Sequence, residues 1–373
     1  MTMRPGLALL GTLLAAVVFA SPASASVCTK GTTSWTNPNG GGWKTEANWS
    51  NGLPSKTCDA KITLAGDYGV VVGSKTGAGG VARSLVIGGA SGHQNLVDDN
   101  STCGAPSCDS FDSRLLVGAG GIKVNATGAI KMYGGKVASI GPIRLTSGRM
   151  YGAGTVLAKR GVYNTGGLLV LDGNGIITIE GAYTQDARST MSIGVPPEGS
   201  ADLPGGLAVS GMLSVDGKLR VDAAAPARTT PFPVLVAGKG LFGAFADTSF
   251  DDQEYATIFD ARGMQLGPVP AKPDTTKPVL SKVRLKPSIV VKQAELSLTT
   301  SEASNIDIEF SRYGTVQPVS VRVVTAKAGA NTYRLTAKPL GLKPGRYRMS
   351  LHAVDVAGNR SDPLSLTFVV RAS

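Results

Sequence analysis

Two histidines are all that this chain of 373 residues offers for imidazole chemistry. A Ser-His-Asp relay would need one of them beside a serine and a carboxylate. His93 lies in the turn phrase Gly88-Gly-Ala-Ser-Gly-His93-Gln94-Asn95 and reads as a solvated turn residue, and His352 sits near the other end of the chain. The sequence has no H-E-x-x-H, no G-x-S-x-G and no Walker loop. Carboxylates are the better candidates. Asp98, Asp99, Asp109 and Asp112 crowd around Cys103 and Cys108. Converging acids could hold calcium through oxygen ligands, or act as acid and base on a glycosidic bond. The competing reading, preferred here, is a solvated insertion loop whose acids repel one another and stay exposed. No catalytic residue, metal or cofactor is therefore assigned.

The cysteines carry the next piece of chemistry. Cys28, Cys58, Cys103 and Cys108 lack the C-x2-C spacing of a zinc site. Their even number suits disulfides, with three connectivities open. Neighbour pairing, Cys28 with Cys58 and Cys103 with Cys108, is the expectation. Disulfides need an oxidising compartment, and the N-terminus is consistent with one. Arg4 precedes the apolar stretch Gly6–Ala20, followed by Ala23 and Ala25 in an A-x-A pattern. That pattern reads as a secretory signal over residues 1–25, so a secreted or cell-surface location is expected. No later run is apolar and long enough to span a bilayer.

The elements that must position these residues are strands. Glycine is plentiful at 49 residues, while charged residues make up 17% and aromatics 6%, which argues against helical bundles and coiled coils. Gly121, Gly141, Gly161 and Gly181 recur every 20 residues, opening GIKV, GPIRL, GVYN and GAYT. Apolar residues alternate between them, as in Ile122/Val124, Ile130/Met132 and Ile143/Leu145. Alternation means half-buried strands, and glycine at fixed offsets means turns. A 20-residue period with two or three short strands is what one coil of a β-solenoid requires. All three tryptophans, Trp35, Trp43 and Trp49, fall upstream of the repeat. They read as a cap over the first coil, with a sugar-stacking platform as the alternative.

Leu266–Pro278 holds prolines at 268, 270, 273 and 278 and reads as a semi-rigid linker. Charge shifts across it: residues 27–273 carry a net +2, and residues 274–373 carry +8. The last region reads as seven strands, at 279–285, 289–299, 304–310, 318–325, 331–337, 346–353 and 364–370, which fits a β-sandwich. Asp355 and Asn359 are expected to hold a turn before the last strand, with a calcium role for Asp355 as the alternative. The basic surface lacks an aromatic stripe or nucleic-acid motif, so an anionic cell-wall polymer or glycan is a better match than nucleic acid.

Two phrases carry a family resemblance. The stretch from Trp35 to Pro54, W-x-N-P-x-G-G-x-W-x4-N-W-S-x-G-x-P, resembles the start of bacterial secreted β-solenoid proteins of the autotransporter-passenger and adhesin type. Tyr183-Thr-Gln185, Leu213-Ser-Val215-Asp-Gly217-Lys-Leu219-Arg-Val221 and Val234-Leu-Val-Ala-Gly238 to Phe245 resemble the last coils of such proteins. The segment from Asp355-Val-Ala-Gly-Asn359 to Ser361 resembles bacterial Ig-like domains. The resemblance implies an all-β chain: a right-handed parallel β-helix over 26–265, the linker 266–278 and an Ig-like β-sandwich over 279–373. It implies a non-enzymatic structural or adhesion role at the cell surface or outside the cell. A carbohydrate-active β-helix enzyme, a lyase or glycosidase using the carboxylates of residues 98–112, is the alternative.

Overall fold

The computed structural model describes residues 25–73, 79–99, 114–172, 175–198, 200, 204–224, 228–251, 254–269, 274–315 and 318–372. The expected signal up to residue 24, the Cys103–Cys108 pair, Asp109, Asp112, and the linker prolines 270 and 273 lie outside the described residues. Among the described residues the chain is all-β. Its helical content is one three-residue 3-10 turn, Glu46–Asn48.

Period-two alternation puts every second side chain on one face, so a strand flanked on both edges can bury one ladder and expose the other. Residues 31–267 do this in a 23-stranded, mostly parallel sheet, curved nearly into a barrel. Its strands stack in three rows. In the first row, Cys58–Ile62, Val81–Ile87, Leu115–Val124, Ile143–Thr146, Val162–Thr165, Tyr183–Gln185, Leu213–Val215 and Leu241–Gly243 pair in parallel, each with the next. The second row runs through Tyr68–Gly73, Gln94–Asp99, Gly128–Ser139, Arg149–Ala158, Leu168–Leu171, Thr190–Val195 and Lys218–Ala223. The far ends of the long strands form a third row, which continues into Ile176–Glu180, Gly206–Val209 and Phe232–Ala237. There the hairpin Ala256–Asp260 and Gly263–Gly267 closes it in antiparallel pairing.

The 20-residue glycine period matches the strand pairing where it occurs: Ala129 pairs with Arg149 and Ile130 with Met150, 20 residues on, and first-row partners such as Val124 and Leu145, or Ile143 and Val162, differ by one residue from that spacing. Beyond the repeat the interval widens, from Tyr183 to Leu213 and from Leu213 to Leu241. Gly121 shows why glycine marks the repeat. Its φ is +75°, and a Cβ there would sit 2.2 Å from the Pro142 carbonyl oxygen of the strand below.

Inward ladders make the core. Val70, Leu96, Ile130, Met150, Leu169, Met191 and Leu219 occupy one register position on seven successive strands and are all fully buried. Full burial of such a side chain contributes about 1.5–3 kcal/mol. A polar ladder interrupts the first row. Asn164 donates to the Tyr183 hydroxyl at 3.2 Å, which donates to Gln185 Oε1 at 3.0 Å. Gln185 in turn donates to the Asp216 carbonyl at 2.6 Å. The Tyr-x-Gln phrase is thus a satisfied buried network, which avoids the cost of unpaired polar groups.

At the opposite end the three tryptophans are 1–5% exposed. Trp35 and Trp43 both pack edge-on against Trp49, at 5.1 and 4.9 Å between ring centroids. Trp35 Nε1 donates to the Asn37 carbonyl and Trp49 Nε1 to the Trp43 carbonyl, which satisfies the polar end of each buried ring. Trp43 lies against Gly80, where a Cβ would meet the indole at 3.0 Å. The Cys28–Cys58 disulfide ties the same end, with Cα atoms 6.0 Å apart.

Residues 280–370 form two further sheets over a separate core that includes Leu296, Ile308, Phe310, Tyr347 and Phe368. Three strands pair antiparallel in one sheet: Leu280–Lys286, Gln293–Thr300 and Gly329–Thr336. Five make the other: Ile289–Val290, Leu364–Val370, Gly345–Val354, Ser304–Arg312 and Pro318–Ala326. The expected strand 289–299 is split. Its first two residues pair in parallel with Val369 and Val370, and the rest joins the other sheet. The turn before the last strand forms as expected, with Asp355 accepting the Asn359 backbone and side-chain N–H groups at 2.8 Å each.

The two cores meet across the closing hairpin. Gly243 N–H donates to Asp307 Oδ2 at 2.7 Å, and Phe259 N–H to the Val356 carbonyl at 3.0 Å. Gly358 lies against the Phe259 ring, where a Cβ would come within 2.9 Å. Burial pushes the Asp307 carboxyl up to about 7, against the opposing pull of the Gly243 N–H and the Arg360 charge.

Candidate binding surface

The outward ladders of the first two rows set cations and tyrosines one above another. On the second row, Asn95, Ala129 and Arg149 share one register position, and Val97, Lys131 and Tyr151 share the next outward one. Strands stack about 4.8 Å apart, so successive side chains on a ladder lie within reach of one another. Lys131 Nζ sits 5.0 Å from the Tyr151 ring centre. The Tyr151 hydroxyl donates to Asn95 Oδ1 at 3.4 Å. These groups, with His93 and Thr127, line a groove of about 290 Å³ at the corner where the first row turns into the second. His93 is paired through Nδ1 with Asp67 at 2.7 Å, both side chains exposed.

Around that corner the first row repeats the pattern. Lys123, Arg144 and Tyr163 stand in register, and the Arg144 guanidinium lies 4.9 Å from the Tyr163 ring centre. Lys123, Arg144 and Arg149 are exposed. A cation resting on an aromatic face is held in place yet keeps donors free, which suits recognition of flat, oxygen-rich anions. Neither ladder is a contiguous motif, because each contributes one residue per strand. Lys131 and Tyr151 are 20 residues apart in the chain, the repeat spacing itself.

The residues singled out in the sequence distribute differently. Asp98 does not stand exposed in a loop. It points inward between Val72 and Met132 on the second row and is fully buried. Burial raises its carboxyl to about 7, with the Lys136 amide favouring the ionised form and Asp99 opposing it. Despite that nearby amide, neither oxygen makes a hydrogen bond of normal geometry. Asp99 is half-buried on the adjacent position. Trp35, Trp43 and Trp49 turn their faces on one another and on the core, not toward solvent. His352 is half-buried, its Nδ1 3.3 Å from the Ser361 carbonyl, with its pKa lowered chiefly by burial. Among the described residues, Asp274, Glu302 and Asp355 form one group whose carboxylate oxygens lie within 4.8 Å of one another. Burial comes first in raising the Glu302 pKa, followed by its two acidic neighbours.

No protein-family model matches the sequence, and no curated protein is significantly similar to it.

Proposed function

We propose that this chain is an exported, non-enzymatic protein of the cell surface or extracellular space, built as a right-handed parallel β-helix followed by an Ig-like module. It engages an anionic glycan or cell-wall polymer along the flank of the β-helix. The observation that carries this reading is the pair of outward ladders, Lys131–Tyr151 with Arg149, and Lys123–Arg144–Tyr163, in which cations rest on tyrosine rings. The three-row parallel stack with its buried aliphatic ladders supports the β-helix. The two antiparallel sheets over one core, with the Asp355–Asn359 turn, support the Ig-like module.

An acidic polysaccharide such as polygalacturonate should bind the mature protein, and neutral dextran should not. Affinity should fall with added salt, because the cations are exposed and screened. The double variant Lys131→Ala/Arg149→Ala should lose roughly tenfold or more, the equivalent of about 1.4 kcal/mol. Salt-insensitive binding, or equal binding of dextran, refutes the reading. Shortened or unsaturated products released with turnover would favour the enzyme alternative instead.

A further inference from the structure

The third row carries a surface unlike the other two. Val81, Leu116, Ala138 and Leu157 share one outward register position on four successive strands. Each is half-buried, and together they floor a groove of about 610 Å³. The neighbouring outward position on the same row holds Lys136, Thr155 and Thr178, as expected for a solvated face. The apolar choice is therefore concentrated in this stripe, with exposed Ile140 beside it. Three steps of about 4.8 Å make it about 14 Å long. The volume falls in the range of small-molecule sites, about 300–1,000 Å³.

The ends of the stripe are charged, and they differ. Strand Cys58–Ile62 pairs with Val81–Ile87, and Lys56, exposed in the turn just before it, lines the groove with Val81 at one end. At the other end Leu157 pairs with Glu180, which lines the groove beside Lys159. That end therefore carries one charge of each sign, whereas at the Lys56 end the groove lining holds a cation alone.

We infer that this groove binds the alkyl chain of a medium-chain fatty acid, with the carboxylate at Lys56 and the methyl end toward Leu157. A single alkyl chain fits a stripe one residue wide and four strands long. The opposite orientation would set the carboxylate against Glu180. Ile140, 56% exposed on the groove wall, gains a partner when the chain is seated.

The test is binding of dodecanoate to the mature chain, followed by calorimetry and by displacement of a fluorescent fatty acid. One site is expected, with dodecanol binding more weakly because it lacks the charge. Ala138→Trp fills the groove with an apolar side chain and should weaken binding roughly tenfold or more, while Lys56→Glu should do so for dodecanoate but not for dodecanol. Should Ala138→Trp fail to fold, Leu116→Asp serves as the second variant. Circular dichroism and the melting temperature show that each variant is folded. Absence of binding up to the solubility limit overturns the inference. So does binding unchanged by both groove variants, or a groove variant that only converts a dimer into a monomer.

Discussion

Asp98 should make the protein less stable as the solution turns from acid to neutral. The residue occupies an inward position in the second row, where Val72 and Met132 flank it in register. Gly135 makes room for it: a Cβ there would lie 2.2 Å from the Asp98 carboxyl carbon. Burial raises the carboxyl from the ordinary 3.8 to about 7. At about 1.4 kcal/mol per pH unit, that rise corresponds to roughly 4 kcal/mol. The folded state keeps its proton up to about pH 7, whereas the unfolded chain releases it near 3.8. Between those values the folded state binds more protons, so stability falls as pH rises and levels off above pH 7. Below about pH 4 both states are protonated and the residue costs nothing through ionisation. Asp307 is raised to about 7 by burial and adds a slope of the same sign.

The perturbation is Asp98→Asn, which keeps shape and removes the charge, with Asp98→Leu as an apolar companion. Denaturant unfolding of the disulfide-intact protein should be followed at pH 5 and pH 8. Wild type should be several kcal/mol less stable at pH 8, and either variant should recover up to about 4 kcal/mol there. For a domain of this size that corresponds to roughly 8–16 °C in Tm. At pH 5 the Asn variant should lie much closer to wild type. A wild-type stability that rises from pH 5 to pH 8, or a pH slope unchanged in both variants, refutes the reasoning.

Trp43→Ala should cost about 3–5 kcal/mol, because the ring is 1% exposed and packs on Trp49 and Gly80; a melting temperature equal to wild type would show that the tryptophans do not hold that end. Asp307→Ala should strip Gly243 N–H of its partner across the junction of the two cores. At pH 5, where wild-type Asp307 is mostly protonated, the loss should be about 1–3 kcal/mol. Limited proteolysis between residues 266 and 278 should speed up as well, and an unchanged cleavage rate would show that this bond does not hold the junction.

Much of the architecture was legible because its signals are local. Alternation at Ile122/Val124 and Ile143/Leu145 fixed which side chains point inward, and the 20-residue glycines fixed where a backbone must pass close to the strand below. Gly121 against Pro142 shows the contact behind that spacing. The seven strands of the last region lie within a few residues of their expected positions, apart from the split at Val291-Lys292, where Ile289–Val290 joins the other sheet. Composition could not show that split, since the apolar run Ile289-Val290-Val291 leads directly into the alternating Gln293–Thr300. Asp98 departs from the expected solvated loop for a physical reason. Aspartate beside Asp99 and a cysteine loop reads as solvated surface, but Gln94–Asp99 alternates strictly, and Asp98 has the parity of Leu96. In the sequence, Leu96-Val97-Asp98-Asp99 sets two apolar residues beside two acidic ones, so parity shows only once the strand is in place.

The proposed binding surfaces were invisible for a different reason. In a stack of parallel strands, residues that act together are one level apart in space and 20 or more residues apart in the chain. Lys131 and Tyr151, or Leu116 and Ala138, become neighbours only once the register is known. The inward positions are fixed by packing, since each must fit the side chain above and below it. The outward positions carry no such constraint, so their residue types are free to answer to what lies outside. A stripe of four half-buried apolar residues on one face, and tyrosines under cations on the other two, departs from the Lys-and-Thr surface that solvation alone would select. Function in such a fold is therefore to be sought by reading down the outward ladders, one residue per level, instead of along the chain.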